Sequence, residues 1–233
     1  MNTFLPGLSS VPMSPWRLSG VVYGALMNDL DALAALGEAL HQPPYKAPPK
    51  APVLGLKPRN TLAASGAEVV VPAGFEGFEV GAALGLMIGR TACHVARHQA
   101  LAHVAGYVVV ADLSLPCESH YRPALRFRAR DGSCLVGPEV VARDAVADPG
   151  ALDITISVDG RVAQRASTSR MQRGAARLLA DVSEFMTLRP GDIVLLGVPA
   201  GAPLAGPGQH IAVEIAGVGR LDASLVQAPG APA

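Results

Sequence analysis

The sequence predicts a β-rich α+β fold, and three observations carry that expectation. Glycine and proline are frequent, 25 and 20 of 233 residues, which suits short strands joined by turns and does not suit a helical bundle. Short apolar runs bounded by turn residues recur along the whole chain. Helical spacing appears in few places, without the regular strand–helix alternation of a doubly wound sheet.

The elements follow in order. Residues 1–17 read as an arm, with Pro6, Pro12 and Pro15 and no periodicity. Leu18–Met27 alternates apolar and small residues like a strand. Asn28 then stands where an N-cap would, ahead of a helix over Asp29–Leu40 with Leu30, Leu33, Leu36 and Leu40 on one side. Six prolines between His41 and Pro58 make an extended connector, because proline cannot donate to a ladder, with Val53–Leu56 as a short strand inside it. Val69–Val71 and Val80–Ile88 read as strands, His98–Val104 as a short helix, and Tyr107–Ala111 as a buried strand that delivers Asp112 at its end. Asp159-Gly160 between Asp153–Val158 and Arg161–Ala166 is a strong two-residue hairpin signal. Gln172–Leu188 has helical spacing up to Pro190-Gly191, and Ile193–Leu196 follows as a buried strand. His210–Ile215 and Arg220–Val226 form a second hairpin. Residues 18–226 are read as a single domain and 227–233 as a frayed tail.

Composition narrows the function classes. Lys plus Arg and Asp plus Glu are 19 each, so no surplus of cations exists for a nucleic-acid backbone, and none is expected as a partner. No apolar run reaches the roughly 20 residues of a membrane span, and no charged segment precedes an apolar block at the N-terminus. Three irregularly spaced cysteines, Cys93, Cys117 and Cys134, fit a reducing compartment; the expectation is a cytoplasmic protein without a membrane partner.

Local motifs alone do not identify a reaction. His94 and His98 sit one helical turn apart, beside Cys93 and His103, yet no carboxylate lies among them and a polar helix face explains them. Cys117, Glu118 and His120 list a nucleophile, an acid and a base, but sequence neighbours rarely converge. Arg126, Arg128 and Arg130 alternate at period two and would share one face of a strand. Such a face suits either a substrate with several carboxylates or a charged edge that resists aggregation.

Three longer blocks carry a resemblance. Leu84-Gly-Leu-Met-Ile-Gly-Arg90, Val104-Ala-Gly-Tyr-Val-Val-Val-Ala-Asp112 and Met186-Thr-Leu-Arg-Pro-Gly-Asp-Ile-Val-Leu-Leu-Gly-Val-Pro199 resemble, in this order, blocks of the fumarylacetoacetate hydrolase family. Lys57-Pro58, Gly137-Pro138, Gln164 and Ser167-Thr168-Ser169 fall in matching places. Val22–Asn28, His41–Lys50, Lys57–Thr61 and Tyr121–Pro123 narrow the resemblance to the N-terminal half of that family's decarboxylase/isomerases of homoprotocatechuate (4-hydroxyphenylacetate) breakdown.

The resemblance implies the family's mixed β roll with a few short helices. It implies action on 5-oxopent-3-ene-1,2,5-tricarboxylate and 2-hydroxyhepta-2,4-dienedioate, or a metal-free structural role beside a metal-bearing homologue. Lys57, Arg122, Arg128, Gln164 and Thr168 become the candidate residues for binding a di- or tricarboxylate. The family's Mg²⁺ or Mn²⁺ rests on a Glu-x-Glu pair and an aspartate. Those glutamate positions fall here on Gly81 and Ala83, and only Asp112 remains, so this chain is expected to bind no cation itself. The family's lysine falls on Arg128, its Arg-Asp on Pro116-Cys117, and its threonines on Leu196 and Val198. A homo-oligomer, or a hetero-oligomer with a metal-bearing homologue that keeps the Mg²⁺ or Mn²⁺, is the expected assembly.

Overall fold

The computed structural model describes residues 18–117 and 125–229. In chain order its strands are β1 (Val22–Leu26), β2 (Val53–Lys57), β3 (Leu62–Ala64), β4 (Glu68–Val71), β5 (Phe78–Ile88), β6 (Val104–Ser114) and β7 (Cys134–Val136). They continue with β8 (Val141–Ala142), β9 (Asp153–Val158), β10 (Arg161–Ser167), β11 (Ile193–Leu195), β12 (Leu204–Ala205), β13 (His210–Ile215) and β14 (Gly219–Gln227). Three short α-helices join them: α1 (Leu30–Leu36), α2 (Leu125–Arg128) and α3 (Ala175–Ser183).

One sheet runs β2-β1-β11-β5-β6-β7-β3, with β12 added on β5 and β8 on β6; the other runs β10-β9-β13-β14-β4. The first is curled into a half-barrel. Period two sorts its central strands between two interiors. Phe78, Val80, Ala82, Leu84, Leu86 and Ile88 of β5 and Tyr107, Val109, Ala111 and Leu113 of β6 pack toward Ile154, Ile156, Val213 and Leu221 of the second sheet. The opposite face carries Ala83, Met87, Val108, Val110, Cys134, Val136 and Ile193, a smaller apolar cluster inside the curl. Both faces of β5 and β6 are buried, which is why these strands read as continuous apolar runs.

The Asp159-Gly160 hairpin forms as expected, with both residues at positive φ (50° and 74°) as a tight hairpin turn demands. Other elements differ from the sequence reading. The N-cap of α1 is Asp29, whose carboxylate accepts the Ala32 amide at 2.8 Å; Asn28 is drawn instead into a buried network. Helix α1 stops at Leu36 because Gly37 turns to positive φ, and a 3₁₀ turn completes the stretch to His41. The His98–Val104 helix is a 3₁₀ segment, Arg97–His103. Helix α3 keeps only the middle of the expected Gln172–Leu188. Strand β6 runs on to Ser114, so Asp112 lies within the ladder rather than at its end.

Candidate active site

Asp112 is on the inner face of the curl. Its ladder partners are Gly81 on β5 and Cys134 on β7, while Ala83 pairs with Val110 two residues along. Residues paired across a ladder share a face. The positions expected to correspond to the family's three carboxylates therefore do converge, with a carboxylate at one of them.

A loop fills the space beside Gly81. Strand β11 pairs with Gly85–Met87 and β12 with Phe78–Glu79, so residues 196–203 leave the sheet opposite Gly81 and Ala83. A Cβ on Gly81 would lie 2.8 Å from the Asp112 carbonyl oxygen and 2.8 Å from Val198 Cγ1. A side chain at position 81 thus collides with backbone, and Ala83 is fully buried in the apolar cluster.

Lys57 supplies the positive charge. It ends β2, 4% exposed, and its Nζ lies 2.5 Å from Asp112 Oδ1, itself on a side chain 6% exposed. Nζ also donates to the Arg128 carbonyl at 2.6 Å and the Leu113 carbonyl at 3.1 Å. The Asp112 contact is ionic in character, since Oδ1 receives no well-directed hydrogen bond despite its closeness. Lys57 Nζ thus makes two hydrogen bonds to main-chain carbonyls and one ionic contact to the carboxylate. Cys134 lies beside this pair, and burial pushes its thiol up to about 12, with Lys57 pulling the other way and Asp112 adding to the rise.

These residues do not compose a divalent-cation site. One carboxylate, already paired with an ammonium, stands where hard cations require several oxygens. Among the described residues no group of three or more His, Cys, Asp or Glu side chains could hold a metal ion, which also disposes of the Cys93/His94/His98/His103 cluster. His103 Nδ1 is spent on the Thr91 carbonyl, 2.8 Å away.

A second polar group frames the loop from behind. Asn28, 3% exposed, donates to the carbonyls of Leu196 (2.6 Å) and Arg173 (3.0 Å) and accepts the Arg173 amide (2.9 Å). Asp29 Oδ1 accepts the Ala200 amide at 3.1 Å, and Gln164 Nε2 donates to the Ala200 carbonyl at 2.6 Å. Thr168 is buried, its hydroxyl oxygen accepting the Leu152 amide at 2.9 Å. Gly197, at φ 134°, leaves room for Met171 Sδ and Asn28, which a Cβ would approach to 3.0 and 3.3 Å. Gln164 is thereby tied to the loop at Ala200, while Val198 of the same loop packs over Gly81, the ladder partner of Asp112.

The arginines are placed differently from the period-two reading. Leu125–Arg128 is a helical turn, so Arg126 and Arg128 do not share a strand face. Arg126 stacks 5.1 Å from the Phe127 ring centre, and Arg128 offers its carbonyl to Lys57. Arg122 lies outside the described residues, as do Glu118 and His120. The sequence reading missed Arg173, 3% exposed, which binds Asp181 and the carbonyls of Pro49 and Lys50 and so fastens the proline connector to the start of α3. No local pattern marks its role, because the connector carbonyls that it binds lie more than a hundred residues away.

A family model, fumarylacetoacetate (FAA) hydrolase C-terminal, matches residues 21–226. The 4-hydroxyphenylacetate degradation bifunctional isomerase/decarboxylase of Escherichia coli is 39% identical over 209 residues, 90% of this chain and 48% of that protein. The chain thus spans about half the length of that relative. Among solved structures, the 2-hydroxyhepta-2,4-diene-1,7-dioate isomerase of Mycobacterium marinum superposes with a TM-score of 0.74 at 27% identity, covering 91% of this chain and 76% of that one. The fumarylpyruvate hydrolase of Pseudomonas aeruginosa, solved with Mn²⁺ and pyruvate, shares the fold with a TM-score of 0.78 at 24% identity, covering 98% and 100%.

Proposed function

The chain belongs to the fumarylacetoacetate hydrolase family, and from that premise we propose that it is one unit of a 4-hydroxyphenylacetate-type isomerase/decarboxylase, joined to a homologous unit that carries the divalent cation. The substrates on this reading are 5-oxopent-3-ene-1,2,5-tricarboxylate and its decarboxylation product 2-hydroxyhepta-2,4-dienedioate. One observation carries the division of labour: the Lys57 ammonium sits on Asp112 while backbone and Val198 close in on Gly81. The half-length match to the curated relative supports the second unit.

This chain's own residues then do three things. Lys57 neutralises Asp112 and closes the inner end of the site. Asn28, Asp29 and Gln164 hold the 196–201 loop, and Thr168 holds Leu152 at the entry to β9. Arg128 and Arg122 are the cations proposed to meet substrate carboxylates, since bidentate guanidinium–carboxylate pairs orient as well as bind. No cofactor is assigned to this chain; Mg²⁺ or Mn²⁺ belongs to the homologous unit. No helix among the described residues is long and apolar enough to cross a membrane.

The test measures CO₂ release from the tricarboxylate by the chain alone and mixed with a metal-bearing homologue. The expected result is little turnover alone, with or without Mg²⁺, and EDTA-sensitive turnover on mixing that exceeds the homologue's own. Elemental analysis of the dialysed chain should find well under one Mg or Mn per molecule. Robust EDTA-resistant turnover by the isolated chain, or one tightly held ion per chain, overturns the proposal.

A further inference from the structure

The three oxygens around Lys57 Nζ come from three places. Asp112 Oδ1 (2.5 Å) and the Leu113 carbonyl (3.1 Å) belong to β6, and the Arg128 carbonyl (2.6 Å) ends α2. A carboxylate and two carbonyls are the donor set that hard cations take. Both charged side chains are almost wholly buried, so water replaces little of this coordination. The Arg128 carbonyl is held to the site from a second side by Ser133 Oγ at 3.3 Å, on a residue that is fully buried. The cage is therefore set by β6, α2 and Ser133 just ahead of β7, while the lysine reaches it from β2.

We infer that this point is a cation-binding cage in its own right, filled in the native chain by the chain's own ammonium. The lysine does the structural work of a bound ion, drawing β2, β6 and α2 together, with the difference that it cannot dissociate. The disagreement with a divalent site follows physically. A tethered monovalent cation neutralises the single remaining carboxylate without the further anions that Mg²⁺ or Mn²⁺ would demand. The ligand class of the emptied cage is consequently a small alkylammonium. This inference does not depend on the substrate or on the homologous unit proposed above.

Lys57→Ala empties the cage and leaves Asp112 as a buried, unpaired charge. Removing one partner of a buried pair is strongly destabilising, so the Tm of the full chain should fall by on the order of 10 °C. n-Propylammonium supplies the atoms that the substitution removes, and tetramethylammonium, at matched ionic strength, has no N–H to donate. Propylammonium chloride should raise the Tm of Lys57→Ala by about 3–6 °C at ten times its Kd, relative to tetramethylammonium chloride. The native chain should show no such difference between the salts. Lys57→Ala/Asp112→Asn, which removes the cage's charge, should also respond equally to both. A variant too unstable to fold in tetramethylammonium yet folded in propylammonium meets the same expectation. Equal Tm of Lys57→Ala in the two salts overturns the inference, and so does failure to fold in either. Metal content of the native chain tests the assembly proposal separately.

Discussion

Strand β5 has two buried faces of opposite character. Its even-numbered side chains, Phe78, Val80, Ala82, Leu84, Leu86 and Ile88, fill the gap to the second sheet. On the other face the three central positions, Gly81, Ala83 and Gly85, are small, between Glu79 and Met87. Sheets packed face to face stand roughly 10 Å apart, which leaves room for large side chains. Inside the curl the neighbours are nearer: a Cβ on Gly85 would meet Val108 Cγ1 at 2.7 Å, and one on Gly81 would meet backbone oxygen at 2.8 Å. From Val80 to Ile88 burial is complete on both faces, so burial alone does not distinguish them. What differs is whether the facing atoms can move. The tight face is also the one that holds Asp112, Lys57 and Cys134, so its polar groups must find partners within the chain.

Substitutions on the two faces should fail for opposite reasons. Leu84→Ala opens a cavity on the wide face and should cost about 2–5 kcal/mol in denaturant unfolding, the largest effect expected on this strand. Gly81→Ala overfills the tight face and should cost about 1–3 kcal/mol, because the Asp112 carbonyl cannot rotate away as a side chain could. Gly81→Glu extends the same collision and should leave metal content unchanged, as read by elemental analysis. A Gly81→Ala chain as stable as the native one would show that the curl has slack, and the contrast between the faces would collapse.

Much of this architecture is legible along the sequence because its causes are local. Asp159-Gly160 specifies its hairpin with two residues, and period two along β5 places Gly81 and Ala83 on one face, although their pairing with Asp112 depends on a register that the structure supplies. Elements whose partners are distant read poorly. Asn28 has the chemistry of an N-cap but is taken by Leu196 and Arg173, which leaves Asp29 to cap α1. The arginines at 126, 128 and 130 alternate like a strand, yet the ladder beside β6 is occupied by β7 and β8, and the segment closes a helical turn through Ala129 N to Leu125 O at 2.8 Å. The surroundings of Lys57 were illegible for the same reason. Both of its hydrogen-bond acceptors are main-chain carbonyls, 56 and 71 residues away, and any residue type could supply them.

The smallest effect expected concerns the thiol on the tight face. Cys134 is fully buried against Asp112 and Lys57, and burial pushes its pKa from 9.0 up to about 12. A folded chain therefore keeps a proton that the unfolded chain surrenders near pH 9. Stability from this group is complete below that value and is lost as pH climbs toward 12, at up to about 1.4 kcal/mol per pH unit. Tyr23 and Tyr107, both raised chiefly by burial, act in the same direction, so the comparison must be made against a variant. Cys134→Ala should be less stable than the native chain at pH 7, for want of the sulfur's packing, and the gap should narrow by about 1 kcal/mol between pH 9 and pH 10. A thiol reagent gives an independent reading: exposed Cys93 should react at once, and Cys134 only on unfolding. A gap that stays constant with pH, together with rapid labelling of Cys134, would mean that water enters the curl. Lys57 would then hold Asp112 in a wet cleft, where an ion pair is worth far less than in the dry one described.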